Sequence, residues 1–193
     1  MSEHVLLWLH CETGGLNTFE HGRFGAQTYP ILSVSAILTL KDGEELARYT
    51  TPIHSEAELL ETLSETAIGM HEHSGLLTEV NDAPITVNGA EQALMNLLQV
   101  TLGIFDEGVH VHLAGHTAFT RPFLDVHMPS LIKALHLWDF NINTIYCAMQ
   151  LWDPEQNKER SEDKWIDEDD PYCKLRVMLP SFQYFRQFMD ASA

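Results

Sequence analysis

Apolar residues cluster first at Val5-Leu-Leu-Trp-Leu-His-Cys11, a near-continuous run of the kind expected of a strand buried on both faces. Gly14-Gly15 ends it. Ile31–Leu40 and Leu46–Ile53 read as two further strands joined across Lys41-Asp42-Gly43-Glu44, a hairpin signal. From Ser55 to His73 the period turns helical, with Leu59, Leu60, Leu63 and Ala67 on one face. Asn88, with Glu91 three residues on, predicts a capped start to a helix through Leu94, Leu98 and Leu102. Val109–Leu113 reads as a strand, and Ala118–His127, Ser130–Leu137 and Asn143–Trp152 as helices. Asp170 followed by Pro171 predicts the cap and first turn of a last helix, with Pro180 inside it. This order predicts an α/β domain, residues 1–193, with a mixed sheet of about five strands and helices on both faces.

Charge narrows the range of partners. The 193 residues carry 11 Lys+Arg against 28 Asp+Glu, a net charge of −17, while 45% of the residues are apolar, ample for a packed core. No Lys or Arg occurs between Arg48 and Arg121. A second acidic block, 153–170, has low apolar content and reads as an exposed loop. Nucleic-acid affinity rests on cations that neutralise phosphates, so a long duplex is a poor partner. No apolar run reaches the ~18 residues of a membrane span. Met1-Ser2-Glu3-His4 lacks the basic flank of a signal peptide, and Cys11, Cys147 and Cys173 form no CxxC pair. A reducing, cytoplasmic setting is expected.

Six phrases in order resemble the oligoribonuclease branch of the DEDD-type 3′→5′ exonucleases, which have an RNase H-like fold. Leu7-Trp-Leu-His-Cys-Glu-Thr-Gly-Gly-Leu16 is similar to the first motif of that family, and Met70-His-Glu-His-Ser-Gly-Leu76 to its H-x-x-S-G-L segment. Gly115-His-Thr-Ala-Phe-Thr-Arg-Pro-Phe-Leu124 with Met128-Pro129 resembles the second motif. Asn141-Ile-Asn-Thr144 and Trp152-Asp-Pro-Glu155 resemble two later phrases, and Tyr172–Phe188 the last motif helix.

The resemblance implies a site of four carboxylates holding two divalent ions ~3.5–4 Å apart, with a histidine as base. Aligned position by position, the first aspartate falls on His10 and the glutamate on Glu12. The second-motif aspartate falls on Thr120, and a further aspartate on Asn141. The last histidine falls on Tyr172 and its aspartate on Val177. By this alignment Glu12 is the one retained carboxylate. His10 and Glu12 share a strand face, and His116 stands near the same cleft. Two imidazoles and a carboxylate could take Zn²⁺, or could be polar side chains that bond one another. His110 and His112 also have same-face spacing, as a structural pair or a metal pair. Cys11 points away from His10 and reads as a small buried hydrophobe. Trp8 and Trp152 read as core.

These readings predict a pseudoenzyme, an exonuclease-like scaffold serving as a protein-binding, regulatory or inhibitory module without a cofactor. The alternative is a divergent metal-dependent 3′→5′ exoribonuclease acting on short oligonucleotides through a remodelled site around His10, Glu12 and His116. The expected partner is a protein with a basic groove, engaged by Trp165 with Asp167, Glu168, Asp169 and Asp170. The family resemblance also implies a homodimer, through apolar residues around the second motif such as Phe119, Leu131, Leu137 and Trp138.

Overall fold

The computed structural model describes residues 3–103, 108–152 and 170–191. Strand β1 (Glu3–Thr13) leads into a short ribbon, β2 (Phe19–Glu20) with β3 (Arg23–Phe24), then β4 (Ile31–Leu40) and β5 (Glu45–Pro52). Helices α1 (Ala57–Leu60), α2 (Glu65–His73), α3 (Leu76–Asp82) and α4 (Val87–Leu102) follow. The chain continues through β6 (Val109–Gly115), α5 (Thr117–His127), α6 (Pro129–Ala134), β7 (Phe140–Asn141), α7 (Ile142–Trp152) and α8 (Cys173–Ala191).

The five-stranded sheet runs β5-β4-β1-β6-β7. β1 is antiparallel to β4 and parallel to β6, so the sheet is mixed as expected. Period-two alternation divides the side chains of β1 between two cores. Val5, Leu7, Leu9 and Cys11 pack with Leu94 and Leu98 of α4, Phe123 of α5 and Leu131 of α6. Leu6 and Trp8 face the opposite way, against Ile145 of α7 and Leu175, Met178 and Phe182 of α8. Trp8 is fully buried and donates its indole N–H to Thr39 Oγ1 at 3.1 Å. That bond satisfies the one polar atom of the largest core side chain.

Local capping moved several boundaries. The helix expected over Ser55–His73 is broken, because Ser64 adopts an extended backbone and its side chain accepts from Ala67 N–H at 3.2 Å, starting α2 afresh. Thr86, not Asn88, caps α4, accepting from Gly89 N–H. The ribbon β2–β3 and the two-residue β7 carry too few residues for a period to register. Trp152 is 69% exposed rather than core. It ends α7, on a turn that neither cluster covers. Asp170 does cap the last helix, accepting from Tyr172 N–H at 2.9 Å and pairing with Arg176 at 2.7 Å. Trp165, Asp167, Glu168 and Asp169 lie outside the described residues.

Two contacts fix elements around the end of β1. Gly25 packs so closely on the Leu16 carbonyl that a Cβ would meet that oxygen at 1.8 Å, so no other residue fits there. Glu91 is buried on α4 and accepts from the N–H groups of Ser130 (2.6 Å) and Leu131 (3.0 Å), the first turn of α6. A carboxylate there satisfies two donors that have no partner within their own helix. Replacing Glu91 with Ala leaves the buried Leu131 donor unmet and the part-buried Ser130 donor open to water, and should cost about 2 kcal/mol in urea unfolding. Glu91→Gln keeps the acceptor and should recover more than half of that loss.

Candidate functional site

The site forms where the parallel strands β1, β6 and β7 end, the crevice in which open α/β sheets place ligands. His10 and Glu12 extend the face that carries Leu6 and Trp8, opposite the α4 side, as their spacing predicts. His10 Nε2 and Glu12 Oε1 are 3.0 Å apart, with side chains 19% and 29% exposed. A register shift in the β1–β4 ladder falls between Glu12 and Thr13, an irregularity that re-aims side chains at a strand end. His71 of α2, itself buried, donates Nε2–H to the Thr13 carbonyl at 3.0 Å. The Ser35 hydroxyl, opposite His10 in the ladder, donates to the Pro171 carbonyl at 2.7 Å and ties the entry of α8 to the sheet.

The hydrogen bond from His10 holds the Glu12 carboxyl below its usual range. Burial opposes this shift, and the fields of His10, His71 and Lys174 support it. Lys174, in the first turn of α8, is thus a cation of the site that the motif alignment passed over. The alignment's own choices on that segment lie elsewhere: Tyr172 stacks under the Arg48 guanidinium at 5.5 Å, and Val177 is 46% exposed. A one-sequence alignment through a helix of low similarity leaves a shift of a few residues undetected, and only packing resolves it.

His116 sits at the end of β6 and donates Nδ1–H to Asn143 Oδ1 at 3.0 Å, leaving Nε2 as its basic nitrogen. Burial, together with the field of His10, lowers its pKa despite the opposing bond to Asn143. Thr120 is fully buried on α5, and its hydroxyl has no hydrogen-bond partner. Asn141 accepts from Asn143 N–H at 3.1 Å, so its side chain caps the start of α7. The structure therefore pairs His10 with Glu12, with Lys174 within electrostatic reach of Glu12 and His116 within that of His10. Cys11 points to the other face, and burial pushes its thiol pKa far up, which makes it unreactive.

In the segment that follows β1 lies a hollow of about 420 Å³ lined by Thr18, Glu20, His21, Arg23, Gly25, Thr28 and Tyr29. The exposed side chains of Leu16, Phe19 and Phe24 belong to the same loop and ribbon, with the two phenyl rings 5.0 Å apart. No signal for this surface is readable along the chain, since the ribbon strands are two residues each. Among the described residues no group of three or more His, Cys, Asp or Glu side chains is disposed to hold a metal ion.

No protein-family model matches the chain. It is 24% identical over 185 residues to the oligoribonuclease of Francisella tularensis subsp. novicida, covering 94% of both chains. It is 27% identical over 156 residues to that of Corynebacterium glutamicum, covering 77% of this chain and 64% of that one. The fold matches the nuclease domain of 3′hExo, a DEDDh family member bound to rAMP, with TM-score 0.59, 16% identity and coverage of 97% and 93%. The chain is thus similar in sequence to oligoribonucleases and shares its fold with a DEDDh exonuclease domain. Exonuclease I in complex with an inhibitor shares the fold at TM-score 0.67 and 10% identity, over 97% of this chain and 42% of that one. A mixed sheet flanked by helices, the RNase H-like arrangement, is common to this chain and those structures.

Two outcomes test the site geometry. His10→Ala removes the donor that stabilises the Glu12 carboxylate, so the Glu12 pKa should rise, read by ¹³C carboxyl titration. The lowered pKa adds stability above the unfolded-state value and is lost as pH falls through the folded value. The His10→Ala protein should therefore lose less stability than wild type on acidification. Thr120→Val replaces a buried hydroxyl without a partner by a methyl, and should leave Tm unchanged or raise it. A lower Tm would show that the hydroxyl is bonded.

Proposed function

We propose that this protein is a divergent 3′→5′ exoribonuclease that acts on short oligonucleotides through a remodelled site. The observation that carries the reading is the groove at the ends of β1 and β6, spanned by similarity to oligoribonucleases over 94% of the chain. The hollow in the segment after β1 suits the same ligand. Arg23 offers positive charge in an otherwise acidic chain, with Glu20 beside it and His21 as a further donor. Leu16, Phe19 and Phe24 offer exposed apolar and aromatic surface for bases, and stacking serves any sequence. A short strand end fits a chain with few cations, because few phosphates need neutralising.

The aligned donor set does not fit two Mg²⁺ ions, which need hard anionic oxygens. Glu12 is the one carboxylate among the aligned positions, and it already faces His10 and Lys174. The chemistry is therefore assigned to side chains. Glu12 holds His10 with its proton on Nε2, leaving Nδ1 to accept a proton from a water whose oxygen bonds to phosphorus, while the P–O3′ bond breaks and the leaving 3′ oxygen takes a proton from solvent. Lys174 and His116, within electrostatic reach of that pair, are assigned to steady the charge on the phosphoryl oxygens. General acid–base catalysis contributes about 10²–10⁴-fold, so turnover should be slow.

A second reading is favoured by the 3.0 Å His10–Glu12 pair. With the charge of Glu12 answered inside the chain, the scaffold can serve as a pseudoenzyme that binds a protein with a basic groove. Incubation with labelled di- to pentanucleotides, with and without EDTA, separates the two. The first reading expects slow shortening that survives EDTA and disappears in Glu12→Gln and His10→Ala. Shortening that EDTA abolishes would return the chemistry to a bound ion. Oligonucleotides left intact by wild type under all conditions would overturn the first reading in favour of the second.

A further inference from the structure

At the opposite end of β1 the same sheet face carries a second cluster of imidazoles. His4 and His10 are six positions apart on one strand, roughly 20 Å, so this cluster is separate from the groove. The parallel register sets His4 beside His110 and Leu6 beside His112. All four residues share a face, because side chains alternate along each strand. The His4 ring stacks on His110 and His112 with centroids at 5.1 and 5.2 Å. His136, from the segment after α6, closes on His110 at 5.1 Å and on His112 at 4.5 Å.

The hydrogen bonds assign the ring nitrogens. His112 Nδ1–H donates to the Trp138 carbonyl at 2.8 Å, so its Nε2 carries the lone pair. That nitrogen lies 2.9 Å from His4 Nδ1. One proton bridges two imidazoles there. His136 is oriented differently, since its Nδ1 accepts from Trp138 N–H at 3.1 Å and its proton sits on Nε2. It serves as a wall of the cluster.

We propose that His4 Nδ1 and His112 Nε2 form a two-imidazole clip for one divalent transition-metal ion of the Zn²⁺, Ni²⁺ or Cu²⁺ class, with water completing its coordination. Metal–nitrogen bonds of about 2.0–2.1 Å at right angles put the nitrogens ~2.9 Å apart. That separation is already present, but the two nitrogens now point at each other along the line joining the ring centroids, so each ring must also turn for its lone pair to meet a shared ion. A tetrahedral ion needs ~3.3 Å, a movement of a few tenths of an ångström for two side chains at the surface. Binding displaces the bridging proton from His4 Nδ1 to His4 Nε2 by way of solvent, so that both ligands enter as neutral imidazoles. Imidazole selects these ions over Mg²⁺ and Ca²⁺. The bond from His112 Nδ1–H to a backbone carbonyl is the outer support that metal-bound histidines use to fix tautomer and ring orientation. The charged groups nearby are Lys41, whose field reaches His4, and Asp139, which feels His112 and is paired with Arg121 at 2.6 Å. The ion would join the first residues of β1 to β6 and to the segment carrying Trp138.

The test uses the full chain without a histidine tag, titrated calorimetrically with Ni²⁺ and with Zn²⁺ at neutral pH. One ion per chain is expected, with affinity falling about tenfold or more in His4→Ala and in His112→Ala. His73→Ala, on the exposed side of α2, should bind as wild type. Because a variant could alter folding, substoichiometric Cu²⁺ is added to wild type while imidazole resonances are followed by NMR. The resonances of His4 and His112 should broaden first. No stoichiometric binding, undiminished affinity in both variants, or first broadening at other histidines would each overturn the proposal.

Discussion

Burial of β1 on both faces, with β6 held parallel beside it, is the constraint on which the other features depend. A strand with helices on each side must be apolar in both of its alternating sets. Leu7 and Leu9 serve one core, and Leu6 and Trp8 the other. The alternation that builds two cores continues past them, so His10 and Glu12 necessarily emerge on the α7–α8 side. Parallel pairing brings the end of β6, with His116, to the same edge. The groove is thus a consequence of how the central strands pack.

That arrangement also explains why the groove is polar but not strongly anionic. A carboxylate at the end of a buried strand carries a desolvation cost unless a cation faces it. Here His10 answers Glu12 by a direct bond, and Lys174 and His71 act on it through space. The buried Thr120 hydroxyl and the Asn141 helix cap are neutral groups. On the function proposed above, imidazoles would carry the acid–base chemistry and the ribbon surface would receive the bases.

The same face carries imidazoles at both ends of β1, in different surroundings. Near Glu12 the imidazoles meet a carboxylate, an amide and a lysine. Around His4 they meet one another, with a backbone carbonyl and a backbone N–H fixing the rings of His112 and His136. The His4 and His112 rings share a proton between them, and a metal ion can take the place of such a proton. A single strand therefore presents two kinds of histidine chemistry on one face.

Much of the fold was legible along the chain. Ile31–Leu40 ends where its apolar run ends, and β1 and β5 differ from expectation only at their margins. Asp170-Pro171 marked the start of α8, because capping is a local property of a few residues. The pairing of His10 with Glu12 on one face was equally local. Tertiary structure decided what depends on contacts between distant segments. It put Lys174 within electrostatic reach of Glu12, exposed Trp152, and split the 55–73 helix at Ser64. It also brought His4, His110, His112 and His136 together from three separate segments. Period and capping are written in neighbouring residues, whereas the direction of a side chain at a helix start or a strand end depends on what packs against it.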